Sequence, residues 1–425
     1  MVVAIFVVLV VLMAINVPIA ISTGLAAIFG FAVVGSIDLT IMVQRMLMGV
    51  NSFTLIAIPL FILAGRFMQL GGITTDLINL SKSLVGFLRG GLAYVNIVSS
   101  MFFAGITGSA ASDSSSVGSI LIPAMVKKGY HRDFSVAVTA TSSTIGVMIP
   151  PSIPMVIYGV AAGVSIGQLF LGGIIPGILV AIALMAVTAV IAKKRNYPVE
   201  EMITLREAGM NIIRGIPALL TIIIIIGGIV TGIFTATEAA GIAALYSFLL
   251  GVFYYKELKI KDLPKIMLDV SVTTGMVALM IATASALGYL FAIEGIPQTI
   301  ANALLSVTEN PFLIMLMIMV LLLFIGTFLD LSPAVIIFTP ILLPIVTAIG
   351  IDPVHFGVIM VVNLAIGLFT PPVGVCLFVS CAIGEISITD VIKAILPYFM
   401  AMIVVLLIIT YIPELVMFLP ETFMR

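Results

Sequence analysis

The stretch GITGSAASDSSSVGSILIP, residues 105–123, decides the fold because it brings hydroxyl groups and a carboxylate into an otherwise apolar chain. The apolar run LAYVNIVSSMFFA precedes it directly, and FSVAVTATSSTIGVMIPPSIPMVIYG follows from residue 134. Polar groups without hydrogen-bond partners are costly in lipid. The stretch therefore lines a wet space or holds a polar ligand.

The composition indicates an integral membrane protein. The chain has 425 residues, of which 62% are hydrophobic and 9% are charged, whereas soluble domains carry about 25% charged residues. Several segments reach the length of about 20 apolar residues that a membrane-spanning helix needs. Runs such as LLTIIIIIGGIV, residues 219–230, lack the alternation of a transmembrane barrel. The predicted fold class is an all-α polytopic membrane protein.

Hydrophobic segments occur along the whole chain. The segment 2–34 is interrupted at Asn16–Pro18, and we read its start as a retained helix because it has no basic region and no cleavage site. Residues 72–90 are amphipathic, which predicts a helix lying along the membrane interface. The remaining segments are 53–70, 91–107, 133–149, 151–163, 168–192, 216–232, 236–254, 267–292, 312–328, 354–369, 371–383 and 391–412.

An internal repeat is the strongest sign of organisation. Shifting the chain by 221 residues aligns Gly105 with Gly326, Pro123 with Pro344, and IGVMIPP at 145–151 with IGLFTPP at 366–372. The matches concentrate on glycine and proline, which set the backbone conformation. The sequence therefore predicts two structurally similar halves.

Charge predicts that the two halves have opposite orientations. The first half carries KKGYHRD at 127–133, and the aligned positions 348–354 of the second half read AIGIDPV, without lysine or arginine. Basic residues mark the cytoplasmic side of a membrane protein, so equivalent loops are expected on opposite sides. An inverted repeat with broken helices at the membrane midplane is typical of secondary transporters.

Each half contains two predicted interruptions. The stretches 105–123 and 326–344 are too short to cross a bilayer twice, so each predicts a re-entrant hairpin, at about 105–128 and 326–349. Pro-Pro pairs at 150–151 and 371–372 predict broken helices at about 133–163 and 354–383. The carbonyl groups freed at 145–149 and 366–370 suit a hard cation such as sodium, and half-helix N-termini suit an anion.

These elements divide the chain into four parts. Residues 1–90 form N-terminal scaffold helices with an interfacial arm, and 91–192 form the core of the first repeat. Residues 193–311 form central scaffold helices with a second arm, and 312–425 hold the second core with a C-terminal helix. The hairpin tips supply oxygen atoms from Ser109 and the serines around Asp113 in the first half, and from Asp330 and Ser332 in the second.

Several alternatives stay open at this stage. The Pro-Pro pairs can be simple kinks, and Asp113 or Asp330 can cap a hairpin helix instead of binding a ligand. A passive channel is possible, as is an intramembrane hydrolase that uses the serine cluster with His131, although a hydrolase needs the base within reach of the nucleophile. Glu238 forms a capping-box pattern with Thr235.

The sequence resembles the large membrane subunit of TRAP transporters, of the DctM/SiaM type, along essentially its whole length. The resemblance implies an elevator-type fold of the ion transporter superfamily and sodium-driven import of organic acids across the bacterial inner membrane. It also implies a small four-helix membrane subunit and a periplasmic substrate-binding protein as partners. The matching motifs are PLFILAG at 59–65, GSILIPAM at 118–125, TIGVMIPPSIPMVIYG at 144–159, GIFTATEAAG at 232–241 and TPPVG at 370–374.

The resemblance also implies site residues, with sodium ions as the co-transported cofactor. The hydroxyl-rich first tip favours sialic acid or another sugar acid over a C4-dicarboxylate, and a standalone sodium/organic-anion symporter is the alternative function. The implied sodium ligands are Gly105, Thr107, Ser109, Gly146, Met148, Gly326, Asp330, Gly367 and Thr370. The implied substrate contacts are Ser112, Asp113, Ser114, Ser115, Ser116, Ser142, Ser143, Ser332 and Asn363.

Overall fold

The computed structural model describes residues 2–15, 17–34, 38–199 and 204–424. Within these ranges the chain forms α-helices and short 3₁₀ or π segments, without a named strand. The helices are α1 Val2–Ala14, α2 Ile19–Val34, α3 Leu39–Val50, α4 Ala57–Leu70, α5 Ile73–Val85, α6 Gly91–Thr107, α7 Ala110–Lys127, α8 Arg132–Ser142, α9 Ile153–Ala162, α10 Ile166–Lys194, α11 Leu205–Val230, α12 Ala236–Leu249, α13 Leu263–Ile293, α14 Ile296–Val307, α15 Pro311–Phe328, α16 Leu331–Ala348, α17 Pro353–Gly367, α18 Val375–Gly384, α19 Ile388–Tyr411 and α20 Glu414–Phe423.

The helices have the length and composition of a multi-pass membrane protein. In the described residues, eight helical segments are long and apolar enough to cross a bilayer. The predicted interruption near Pro18 falls between α1 and α2, although Asn16 itself lies outside the described residues. The all-helical membrane fold predicted from composition is therefore confirmed.

The two halves follow the same succession of helices. Four residues separate the end of α7 from the start of α8, which leads to the first Pro-Pro pair, and four residues separate α16 from α17, which leads to the second pair. Shifting the bounds of α7 by 221 residues gives the bounds of α16. The amphipathic helix α5 packs against α6 and α11, and α14 occupies the matching place in the second half. The location of α5 at the membrane interface stays a prediction.

The hairpins are longer than predicted. The first consists of α6 and α7, which pack against each other and join at Gly108–Ser109, so it spans 91–127 and not 105–128. The second consists of α15 and α16 and spans 311–348 and not 326–349. The sequence predicted hydrophobic segments at 91–107 and 312–328 and hairpins that begin after or near their ends, because the segments are uniformly apolar. The polar stretch that begins at Gly105 is the turn and the second arm.

Both broken helices stop at their Pro-Pro pairs. After α8, a 3₁₀ segment covers Ser143–Val147 before α9 begins at Ile153. After α17, the chain leaves the α-helix at Leu368 and resumes it at Val375. The Pro150–Pro151 and Pro371–Pro372 peptide bonds are both cis. Proline removes backbone donors from each break, but some of the carbonyl groups predicted to be free accept hydrogen bonds within the break, those of Ile145, Gly367 and Leu368 among them.

The two broken helices lie side by side with opposite chain directions. At the start of α8, Arg132 Nη1 donates to the carbonyl oxygen of Gly384, at the end of α18, over 2.9 Å. At the end of the first broken helix, the Tyr158 hydroxyl donates to the carbonyl oxygen of Pro353, at the start of α17, over 2.7 Å. The contacts are reciprocal, because α7 packs on α18 while α16 packs on α9. Each half therefore completes the core of the other.

The predicted capping box is confirmed at the start of α12. The Thr235 hydroxyl accepts a hydrogen bond from Glu238 N, and the Glu238 carboxylate accepts one from Thr235 N. We expect Thr235→Ala to lower the free energy of unfolding by about 1 kcal/mol, seen as a lower melting temperature in detergent. Thr347→Ala, at an exposed position inside α16, is the control and should not lower it. Equal melting temperatures for the two variants would contradict the capping role.

Candidate functional site

The tip of each hairpin contacts the break of the same half. In the first half, Ile153 N donates to the carbonyl oxygen of Gly108 over 3.3 Å, and in the second, Val373 N donates to that of Thr327 over 3.1 Å. Gly108 has a φ of +60°, and a Cβ there would lie 2.7 Å from the carbonyl oxygen of Pro151. Glycine is therefore required at the first tip, both for conformation and for space.

The residue that starts the second arm of each hairpin has a free side-chain oxygen. Ser109 is the N-cap of α7, and Asp330, its equivalent after a shift of 221 residues, is the N-cap of α16. Neither side chain accepts the usual hydrogen bond from the first turn of its helix. An N-cap normally makes that bond, so both oxygens are available for another partner.

Both N-cap residues line one cavity of about 270 Å³. The first residues of four helices also reach this cavity: Ala110 of α7, Ile153 of α9, Leu331 of α16 and Val375 of α18. The opposite wall comes from scaffold helices α4 and α13, through Ile62, Thr273, Met276, Val277 and Met280. The cavity thus lies between the two tip–break pairs and the scaffold.

The electrostatics of the cavity suit an anion and a cation together. Each helix N-terminus carries a partial positive charge and unpaired N–H groups, which attract anions. The Asp330 side chain is accessible although protein surrounds it, and a carboxylate is the type of ligand that a hard cation prefers. Among the described residues there is no cluster of three or more His, Cys, Asp or Glu that suits a transition metal.

Of the implied sodium ligands in the first half, Gly146 and Ser109 are brought together. A Cβ at Gly146 would lie 3.6 Å from the carbonyl carbon of Ser109. The Thr107 hydroxyl donates to the Phe103 carbonyl oxygen over 3.3 Å. Gly105 faces Ile222 of α11, and the Met148 carbonyl oxygen lies against Gly173 of α10. The Cα side of Gly105 therefore packs on α11, and the Met148 carbonyl oxygen packs on α10.

The implied ligands of the second half are closer together. Gly326 and Gly367 are in backbone contact. Thr370 N donates to the Gly367 carbonyl oxygen over 3.1 Å, and the Thr370 hydroxyl donates to that of Ile366 over 2.6 Å. The hairpin and the break are thus packed backbone to backbone near Asp330.

Of the implied substrate contacts, Ser332 lines the cavity. Ser112 and Ser115 are half-buried and joined by a hydrogen bond from the Ser115 hydroxyl to the Ser112 carbonyl oxygen over 2.9 Å. Ser116 binds the side-chain amide of Gln69 on α4. Five consecutive helical residues cover the whole circumference of a helix, so Ser112–Ser116 cannot all face one ligand.

Ser142 and Asn363, which are equivalent in the repeat, hold the first arms of the hairpins. Ser142 donates to the Asn96 side-chain oxygen on α6 over 3.1 Å, and Asn363 donates to the Met319 carbonyl oxygen on α15 over 3.0 Å. Ser143 donates to the carbonyl oxygen of Thr139 over 2.8 Å. All three are fully buried. The Ser142 and Asn363 bonds join helices to each other, and the Ser143 bond stays within its own broken helix.

The scaffold wall was missed by the sequence reasoning. Met276, Met280 and Val277 recur at helical spacing on α13 and read as ordinary core, and Thr273 reads as a surface residue. The serine hydrolase alternative fails on distance. His131 follows the end of α7 while the serines begin it, and at 1.5 Å per residue the helix separates them by about 20 Å.

Comparison with known proteins identifies the family. A family model described as "Tripartite ATP-independent periplasmic transporter, DctM component" matches residues 6–415. The chain belongs to this family. The TRAP transporter resemblance is thereby confirmed, and the chain is a transporter subunit and not an enzyme.

Relatives of this TRAP permease are named after different substrates. It is 45% identical to the isethionate TRAP transporter permease protein DctMQ of Oleidesulfovibrio alaskensis, covering 95% of this chain and 64% of that one. It is 40% identical to the sialic acid TRAP transporter large permease protein SiaM of Vibrio cholerae, and the match covers 96% of this chain and 95% of that one. The YdaH transporter structure of Alcanivorax borkumensis shares the fold, with a TM-score of 0.56 and 16% identity over 87% and 86% of the chains.

Proposed function

We propose that this TRAP large permease is a sodium-driven importer of an organic anion across the bacterial inner membrane. It works with a small four-helix membrane subunit and a periplasmic substrate-binding protein. The observation that carries the proposal is the convergence of four helix N-termini and two free N-cap oxygens, those of Ser109 and Asp330, at one cavity. Partial positive charges bind the anion, and the carboxylate with freed carbonyls binds sodium.

The proposal includes an inverted repeat. The opposite chain directions of the two broken helices, held by Arg132–Gly384 and Tyr158–Pro353, support it. The difference in basic residues between the loops at 127–133 and 348–354 supports it independently. Inverted repeats give a transporter two equivalent gates around a site at the midplane.

We infer an elevator mechanism from the two walls of the cavity. One wall consists of hairpin tips and half-helix ends that are packed on each other across the repeat, and the other consists of α4 and α13. Movement of the first unit along the second carries the cavity across the membrane. Sodium and substrate bind to the same pair of hairpin tips. Each ligand therefore stabilises the arrangement of the tips that binds the other ligand.

The substrate class is an organic acid. Isethionate and sialic acid, named for two relatives, share an acidic group and little else. The hydroxyl-rich tip gives little support for a sugar acid, because Ser112–Ser116 point in different directions around α7. Among the serines at 109–116, Ser109 is the one that lines the cavity. A C4-dicarboxylate therefore stays an equal candidate.

Reconstituted uptake tests the proposal. The permease is placed in liposomes with its small subunit, and uptake of labelled isethionate, sialic acid and succinate is measured with and without a sodium gradient and binding protein. We expect one of these acids to accumulate, with both sodium and the binding protein required. Accumulation without the binding protein would favour the standalone symporter, and equilibration without accumulation would favour a channel.

Filling the cavity should block transport. We expect Met276→Trp to lower uptake more than tenfold, because the indole occupies space between α13 and the tips. Met267→Trp is the matched control, since Met267 is exposed on the same helix and does not line the cavity. Uptake is measured at equal amounts of folded protein. A full rate for Met276→Trp would show that the substrate passes elsewhere.

A further inference from the structure

Arg66 is a cationic side chain in a membrane-spanning segment. It is partly buried in the span Phe53–Leu70, where an unpaired charge is costly. Its Nη1 donates to the side-chain oxygen of Gln69 over 3.2 Å, and it forms no ion pair with any residue that the structure describes. A guanidinium has several further N–H donors. The other donors of Arg66 are therefore available to a ligand from outside the chain.

Arg66 lies on the face of α4 that leads away from the cavity. Ile62 lines the cavity, and Arg66 and Gln69 follow it by four and seven residues, which places all three on one face of the helix. The Gln69 amide donates to the hydroxyl of Ser116 on α7, seven residues after the cavity-lining Ser109. Helices α4 and α7 therefore run away from the cavity in the same direction. Arg66 lies between the cavity and the contact of Gln69 with Ser116.

The side of α7 that faces α4 carries hydroxyl groups. Ser109, Ser112, Ser116 and Ser119 are three or four residues apart, so they lie on one side of the helix. Ser112 is partly exposed, and Ser119 is exposed. The helix ends at the basic loop 127–133, which predicts that this polar side leads from the cavity towards the cytoplasm.

Asp269 is the acidic residue that α13 brings to the same region. It precedes the cavity-lining Thr273 by four residues and so lies on the same face of α13. Phe67, next to Arg66, packs with Val270, next to Asp269. Asp269 nevertheless forms no ion pair with Arg66 in the described part of the chain. The guanidinium is thus open to an acidic group that does not belong to the protein.

We propose that Arg66 binds the acidic group of the substrate between the cavity and the cytoplasm. The guanidinium donates parallel hydrogen bonds to two oxygens of a carboxylate or a sulfonate. The hydroxyl groups of Ser112 and Ser119 offer hydrogen bonds to the rest of the substrate. The contact of Gln69 with Ser116 joins the two walls of this route and breaks when the core moves along α4. This inference rests on the proposed transport of an organic anion, and it adds a binding residue outside the cavity.

Chemical restoration of the charge tests the proposal. Uptake of isethionate, sialic acid and succinate is measured with sodium and the partner proteins at equal amounts of folded permease. For the acid that the wild type accumulates, Arg66→Cys should lower the rate roughly tenfold, because a charge-assisted hydrogen bond is lost. Aminoethyl methanethiosulfonate, which attaches an ammonium group, should restore most of the rate. The negatively charged sulfonatoethyl reagent should not, and equal effects of the two reagents overturn the proposal.

The reagents and the charge change each have a control. Cys376 and Cys381 are buried, so the wild type should keep its rate after treatment with either reagent. Arg66→Gln should lose uptake as Arg66→Cys does, whereas Arg206→Gln removes the same charge from an exposed position at the start of α11 and should not. A wild type that accumulates none of the three acids overturns the proposed function and this inference with it. Accumulation by the wild type and Arg66→Gln at equal rates overturns this inference alone.

Two further measurements separate substrate binding from a structural role. Removal of an unpaired charge from a membrane span should not lower the melting temperature, so Arg66→Gln should lose uptake while it keeps its stability. A variant that unfolds at a lower temperature, or does not fold, shows a structural role and overturns the proposal. Recovery of uptake when Asp269→Asn is added to Arg66→Gln also overturns it, because Arg66 then acts by neutralising Asp269.

Discussion

Gly367→Ala is expected to lower uptake at least tenfold and to reduce the melting temperature. The nearest atoms to a Cβ at Gly367 are the carbonyl oxygen, carbonyl carbon and Cα of Gly326, all in the backbone of the second hairpin. Backbone cannot move aside as a flexible side chain does, and overpacking of this kind costs about 1–3 kcal/mol. The hairpin tip must shift away from the break, which separates the proposed ligands around Asp330. Uptake in liposomes and thermal unfolding in detergent measure the two effects.

The repeat supplies the control for this variant. Gly146 is equivalent to Gly367, but a Cβ there would meet Ala110 at 3.6 Å, an ordinary contact. Gly146→Ala should therefore cost much less stability and much less transport than Gly367→Ala. Gly241→Ala in α12, where a Cβ would meet Leu60 at 3.8 Å, reports the general effect of adding a methyl group to a helix. Equal losses at Gly146 and Gly367 would contradict a steric cause.

The elements of the fold were largely predictable because they depend on local rules. Apolar length predicted the helices at 91–107 and 312–328, which correspond to α6 and α15. The Pro-Pro pairs predicted both breaks, because proline removes a backbone donor wherever it stands. The hairpin limits were wrong, since a uniformly apolar arm looks like a crossing whether or not it turns back.

The orientation of side chains was less predictable because it depends on packing partners distant in sequence. Nothing near Ser116 indicates that Gln69 on α4 binds it, and nothing near Met276 indicates that it faces the hairpin tips. One signal was available and unused. The repeat shift pairs Ser109 with Asp330 at the start of matching helices, and the residues that share such a position are those that line the cavity.

Asp330→Asn is expected to raise the sodium concentration for half-maximal uptake at least tenfold, while Ser109→Ala should raise it less. The carboxylate offers sodium a full charge and the hydroxyl only a dipole, and charge-assisted interactions are roughly twice as strong as neutral ones. Asparagine keeps the shape of the side chain at the N-cap of α16, so the packing of the tip is preserved. Thermal stabilisation by sodium gives a second measurement, since a ligand that binds only the folded state stabilises it more as its concentration rises above its dissociation constant.

The matched control for this prediction is Glu309→Gln, which removes one acidic charge from an exposed position outside the helices. It should leave both the sodium dependence of uptake and the stabilisation by sodium unchanged. Choline chloride at the same ionic strength separates a specific sodium effect from screening. If Asp330→Asn and Glu309→Gln both show the sodium dependence of the wild type, the carboxylate at the second tip is not a sodium ligand. The cation must then bind to backbone carbonyl groups and to the Ser109 hydroxyl, because these oxygens remain beside the cavity.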